Sequence, residues 1–308
     1  MSTKNSFKLV FILLIVCSIN KSAAISSINL IDDNHHLVSL KYPAKRIISL
    51  SPHITELIYE AGGENYLVGT VNSSNYPPQV KHIEKIGNSQ IINVEKIMAL
   101  KPDLIVAWNN SPAIEKIRKL DASINYFISH PNKIKDISDN LIKLGKLMNT
   151  EKIANQSAII FDKHISRISN QYNKGNKEHK TNLLFLISKN PYIAYSGGDL
   201  LFQNTIKFCN GKNILDFDKR QAIIMSLESV KSLKPDIIFS SKSSSTHKSL
   251  ATQYNTFWSS QIDAVQNELG QTIDIEADLI ARPGPRYWKG MEKICYEIDR
   301  VSFHKTNN

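Results

Sequence analysis

Asp278 and Arg282 stand four residues apart, so on a helix they share one face, carboxylate beside guanidinium. Such a pair is either an ordinary surface ion pair contributing about a few tenths of a kcal/mol or a placed set of polar groups at a binding site. Tyr76, followed by Pro77 and Pro78, and Trp108, at the end of an apolar run, raise the same question. Each either packs a turn or the core, or offers a flat apolar wall to a ligand. Trp258 and Trp288 read as packing residues. The histidines do not gather: His35 and His36 lie near the start of the chain, and His53, His82 and His130 lack the short spacings of metal ligands, so no protein-held metal is expected. There is no Gly-x-Ser-x-Gly elbow, no His-Glu-x-x-His, and no phosphate loop ending in Gly-Lys-Ser/Thr. The residues point to binding rather than to catalysis.

The elements that must position them come from a chain of 308 residues, long enough for about two domains. Its 42% apolar and 21% charged content argues for packed cores and against disorder. The apolar run Leu9 to Cys17 is too short to span a bilayer. It follows Lys4 and Lys8 and precedes Ser22-Ala23-Ala24, the pattern of a secretory leader cleaved after Ala24. Acylation at Cys17 is the rival, but Val16 stands where a small residue is normal. Residues 1–24 are therefore set aside as a signal peptide, and the mature protein is expected to be exported. Without the leader, Cys209 and Cys295 remain, an even count in an oxidising compartment, which predicts one disulfide; two buried free thiols are the alternative. The formal charge of +10 falls to a mild excess once Lys4, Lys8 and Lys21 leave with the leader. The remaining bases are scattered rather than clustered with aromatics, so nucleic acid is not an expected partner.

A duplicated segment organises the rest. Asn93 to Ala107 recurs without a gap as Ser226 to Ser240, with Glu, Leu, Lys, Pro, Asp and Ile identical at Glu95/Glu228, Leu100/Leu233, Lys101/Lys234, Pro102/Pro235, Asp103/Asp236 and Ile105/Ile238. Each copy predicts an N-cap, a short amphipathic helix, a stop at Lys-Pro-Asp and an apolar strand, Leu104 to Trp108 or Ile237 to Ser240. Two such units imply two α/β lobes of similar build. Further strands are predicted over Arg46–Leu50, Leu67–Val71, Ile124–Ser129 and Leu183–Ile187, with helices over Ile54–Ala61, Leu200–Cys209 and Trp288–Val301. Alternation of strand and helix predicts parallel sheets. Helical periodicity over Glu151 to about Tyr172 predicts one long helix joining the lobes, followed by the polar run Asn173 to Lys180. The expected division is 25–150 for the first lobe, 151–172 for the connecting helix and 173–308 for the second lobe.

This sequence resembles the periplasmic substrate-binding proteins of metal-chelate importers, and within them the cobalamin binders. The carriers are Arg46-Ile-Ile-Ser-Leu-Ser-Pro52 with Thr55-Glu56-Leu57, Tyr76-Pro77-Pro78, Ala99 to Trp108, Gln203-Asn204, Cys209-Asn-Gly-Lys-Asn213, and Asp278 with Arg282. The resemblance implies two Rossmann-like lobes with parallel-rich sheets on one long connecting helix and little hinge closure. It also implies a non-enzymatic, monomeric protein without a cofactor, which captures cobalamin or a related corrinoid between the lobes. Delivery would be to the permease dimer of an ABC importer with its ATPase subunits.

Carried over residue by residue, the ligand-lining positions are matched at Tyr76, Trp108, Asp278 and Arg282. A corrin with an apolar rim and amide side chains suits aromatic walls with a few placed polar groups. Three positions depart: Ser89 and Ala222 stand where the cobalamin binders have tryptophan, and Ala194 stands near a family phenylalanine, with Tyr195 or Tyr192 as substitutes. Each lost aromatic costs on the order of 1–3 kcal/mol of buried area. Glu95 and Glu228 match the positions that contact the permease, a pseudo-twofold pair facing a dimer; the plainer reading is a carboxylate favoured at a helix N-terminus. The nearest alternative is a haem or ferric-siderophore binder, with Tyr76, Tyr192 or Tyr195 reaching the iron. An exported α/β enzyme is the alternative of another class.

Overall fold

In both copies of the repeat the lysine before the proline takes a left-handed backbone, φ 47° at Lys101 and 47° at Lys234, and the helix ends there. The aspartate that follows then ties its strand to the neighbouring one. Asp103 accepts the Lys45 and Arg46 amides at 2.7 and 3.0 Å, and Asp236 accepts the Asn182 amide at 2.8 Å. The same Lys-Pro-Asp device thus aligns the central strand of each lobe.

The computed structural model describes residues 27–88, 91–109, 111–172, 180–189, 192–242 and 272–306. The leader with Cys17, Ser89, the run after Tyr172 up to residue 179, and Trp258 lie outside them. The chain opens with an antiparallel hairpin, β1 (Ile28–Ile31) and β2 (Leu37–Leu40). The first lobe follows with β3 (Ile47–Ser49), α1 (Pro52–Glu60), β4 (Leu67–Thr70), α2 (Val94–Ala99), β5 (Leu104–Ala107), α3 (Pro112–Leu120) and β6 (Asn125–Ile128). Its sheet has the order β4-β3-β5-β6 and is parallel throughout.

Two helices lead out of this lobe, α4 (Ile134–Met148) and α5 (Glu151–Tyr172), with Asn149 left-handed at φ 58° in the turn between them. The second lobe contains β7 (Thr181–Lys189), β8 (Tyr192–Tyr195), α6 (Leu200–Phe208), β9 (Gly211–Asn213), β10 (Ala222–Met225), α7 (Leu227–Leu233), β11 (Ile237–Lys242), β12 (Thr272–Glu276), α8 (Ala277–Ile280) and α9 (Tyr287–Thr306). Among the described residues its sheet runs β10-β8-β7-β11-β12, with β9 also on β7. The β9, β7, β11 and β12 strands are parallel, whereas β8 runs antiparallel to both of its neighbours, β7 and β10. The β3-β5-β6 and β7-β11-β12 sets are therefore equivalent. Ile97 on α2 and Val230 on α7 pack equivalent outer clusters, the first with Ile48 and Ile105, the second with Leu184 and Ile238.

The connection is stiff because it is packed. One buried cluster runs from Ile47 and Leu57 through Leu144 and Phe161 to Phe185 and Met291, so both lobes share a core built on α4 and α5. Trp288 at the start of α9 stacks on His164 of α5 at 3.7 Å, and Arg167 of α5 holds Glu292 of α9 with two bonds of 2.6 and 2.9 Å. Trp288 is thus a packing residue. Cys209, at the end of α6, is bonded to Cys295 of α9, 86 residues on, and both are buried. Closing a loop of that length contributes about 4–5 kcal/mol in the chain-entropy account. Among the described residues, no helix is long and apolar enough to cross a membrane.

Candidate functional site

Parallel sheets bind ligands beyond the carboxyl ends of their strands, and Trp108 stands there, immediately after β5. The strand itself, Leu104 to Ala107, is buried on both faces, so it fixes where the indole begins. Trp108 is 38% exposed and forms a wall shared by two cavities. One, about 450 Å³, is lined by Leu50, Val71, Ile92, Trp108, Ala281 and Arg282 among others. The other, about 400 Å³, includes Trp108, His130, Tyr195, Asp199, Ala222 and Tyr287. Residues from both lobes line each, so the sites meet in the cleft between the lobes.

Two imidazoles back the indole. His53 lies edge-on to Trp108 at 4.7 Å and His130 at 6.1 Å. His53, at the start of α1, is fully buried; Ser51 Oγ pairs with its Nδ1 at 2.8 Å and its Nε2 faces the Ser129 carbonyl at 3.5 Å. Burial lowers its pKa from 6.5 to about 3, so it is neutral at ordinary pH. Between those values the unfolded chain binds a proton that the native protein refuses. Stability from this group is therefore full above pH about 6.5 and is lost as pH falls, with a slope approaching about 1.4 kcal/mol per pH unit. Denaturant midpoints at pH about 7.5 and about 5 are expected to fall further apart in the wild type than in His53→Gln. Equal spacing in the two would assign the acid sensitivity to other groups.

On the second-lobe side, Tyr195 at the end of β8 stacks on Phe202 at 4.7 Å and meets Phe185 edge-on at 5.4 Å. Burial pushes its hydroxyl pKa up. Asp199 caps α6 by accepting the Phe202 amide at 2.9 Å, and burial raises its carboxyl pKa. Ala222, on β10, lines the same cavity.

The charged pair is engaged across the cleft. Arg282 Nη2 is 2.9 Å from Asp278 Oδ1, and Arg282 reaches the first lobe by donating to Asn75 Oδ1 at 2.6 Å and the Ser73 carbonyl at 3.3 Å. It also stands 3.4 Å from Glu56 Oε1. Glu56 lies on α1, is 3% exposed, and takes a two-pronged contact from Arg286 at 2.8 and 2.7 Å. The Arg286 guanidinium lies 3.8 Å over the Tyr76 ring. Asp278 and Arg282 are thus half of a bridge between lobes, and Tyr76 sits behind it, outside the linings of both Trp108 cavities. The structure brings Trp108, Tyr195 and Arg282 to the cleft walls; Tyr76 joins them only through Arg286.

In the sequence reading Glu56 only helps to carry the family resemblance, and neither it nor Arg286 is assigned to the site. One signal was available: Ile54, Leu57 and Ile58 on the same helix are buried, and a carboxylate among them needs a cationic partner. Which cation answers it is a tertiary fact. Glu95 and Glu228 are both exposed, each in the first turn of its helix behind a side-chain cap from Asn93 or Ser226. Among the described residues, no group of three or more His, Cys, Asp and Glu could hold a metal ion.

The family described as "Periplasmic binding protein" matches residues 47–275. A vitamin B12-binding protein of Vibrio cholerae serotype O1 is 32% identical over 262 residues, covering 84% of this chain and 91% of the relative. The crystal structure of the periplasmic vitamin B12 binding protein BtuF of Vibrio cholerae superposes with a TM-score of 0.72 at 30% identity, over 84% of this chain and 98% of that one. The apo periplasmic heme-binding protein RhuT from Roseiflexus sp. RS-1 gives a TM-score of 0.69 over 84% of this chain and 99% of that one. Its 19% identity makes the likeness one of fold alone.

Proposed function

The chain belongs to the periplasmic binding protein family, and from that membership and the cleft around Trp108 we propose that it captures cobalamin or a related corrinoid in the periplasm. It carries the ligand between its lobes and hands it to the permease dimer of an ABC importer, whose ATPase subunits drive transport. It is a binding protein and not an enzyme; the corrinoid is cargo, and the protein keeps no cofactor. The chain divides into a leader at 1–24, lobes at 25–150 and 173–308, and a connecting helix at 151–172. It acts as a monomer.

The observation that carries this reading is the indole of Trp108 standing between two cavities of about 450 and 400 Å³ with walls from both lobes. A flat ligand lies against such a wall, while its amides meet polar groups at the edges. In this reading Trp108 and Tyr195 supply the aromatic faces, Arg282 and Asp278 meet the amides at the mouth, and Tyr76 supports the rim. Glu95 and Glu228 face matching basic groups on the two permease subunits. Calorimetric titration of the mature protein with cyanocobalamin tests it, and about one-to-one binding is the expected result. No heat and no displacement up to high micromolar ligand, together with a charge-transfer band on adding hemin, would replace the corrinoid with haem.

A further inference from the structure

Among the described residues, the most exposed large apolar side chains are Ile91 and Ile224, each 74% exposed. One exposed isoleucine needs no explanation. These two, however, stand at equivalent places just ahead of the two copies of the duplicated segment. Ile91 comes two residues before the cap Asn93 and four before Glu95; Ile224 comes two before Ser226 and four before Glu228. The units that follow them share the left-handed lysine and the aspartate clamp.

Each side chain is held outward by its own backbone. Ile224 lies on the edge strand β10, whose alternate residues Ile223 and Met225 pack inward against the smaller core of the second lobe, so the pleat turns Ile224 to the other face. Ile91 is fixed by Asn88: its amide donates to Asn88 Oδ1 at 2.8 Å and its carbonyl accepts the Asn88 amide at 2.9 Å. The next residue, Ile92, packs inward. Hydrogen bonds to Asn88 in one lobe and an edge strand in the other thus each leave an isoleucine exposed at the same distance ahead of the helix cap.

We propose that Ile91 and Ile224 are paired apolar contacts for a twofold-symmetric protein partner, one isoleucine entering a recess on each subunit of the permease dimer. This rests on the docking role assigned above to Glu95 and Glu228. A pseudo-twofold surface on one chain is matched by the true twofold of a homodimer. A second copy of this chain is a poor fit, because Glu95 and Glu228 would meet like charges. The glutamates would steer the encounter, and the isoleucines would bury apolar area once docked.

The test compares wild type, Ile91→Ser, Ile224→Ser and the double variant, all cyanocobalamin-loaded, with the cell's own permease–ATPase complex in nanodiscs, reading the half-saturating concentration for ATPase stimulation. The double variant is expected to raise that concentration about tenfold or more, with similar shares from the two single variants. Melting temperature and cyanocobalamin affinity should stay as in the wild type, and Ile91→Leu with Ile224→Leu should restore stimulation. An unchanged half-saturating concentration overturns the proposal. So does a fall in cyanocobalamin affinity, which would make the isoleucines lips of the cleft. Failure of the wild type to bind cyanocobalamin would instead remove the transport reading beneath it.

Discussion

Trp108→Ala is expected to weaken cyanocobalamin binding by about 2–3 kcal/mol, or roughly 30- to 150-fold, with a smaller loss of unfolding stability. The asymmetry follows from the position. The indole is 38% exposed, so truncation costs the protein its edge contacts with His53 and His130 but leaves the strand beneath it packed. It is nevertheless the wall common to both cavities, so a ligand lying across them loses its central contact surface. Trp108→Phe keeps an aromatic face over His53 and should recover most of the affinity. Calorimetry on the three proteins settles the point: if the alanine variant binds as the wild type does, the corrin lies elsewhere.

What the sequence exposes is what repeats or alternates. The Lys-Pro-Asp units were readable because proline must end a helix and an apolar strand must follow into a core, and both units sit in equivalent sheets. The connecting helix was readable from its period, and α5 covers Glu151–Tyr172. The antiparallel strands β8 and β10 were not, since four-residue segments with half-buried patterns carry little periodic signal. At the site, Trp108 was legible from its place after a buried strand. Asp278 and Arg282 do meet, one of the two readings their spacing allows, although Arg282 lies past the end of α8, and such spacing says nothing of a carboxylate that arrives from another lobe. Glu56 and Arg286 therefore had to come from the fold.

The bridge they form yields the other large effect. Glu56→Ala is expected to lower unfolding stability by about 3–5 kcal/mol, because it strands partly buried guanidinium charge without its carboxylate. Denaturant unfolding reads this directly. Ligand affinity should fall with it: Arg286 loses the two bonds that place it over Tyr76, and Arg282 loses one of its contacts with the first lobe. The two effects can be separated. Replacing the pair together by Glu56→Leu with Arg286→Met removes the stranded charge, and buried ion pairs exchanged for apolar groups of similar size are often neutral or stabilising. Stability should therefore return in the double variant while cyanocobalamin affinity stays low, because Arg282 and Tyr76 still lack the partners that orient them. Recovery of both would reduce the bridge to a structural tie between the lobes. If Glu56→Ala changed neither, the carboxylate would be idle in folding and in binding alike, which its burial between two arginines opposes.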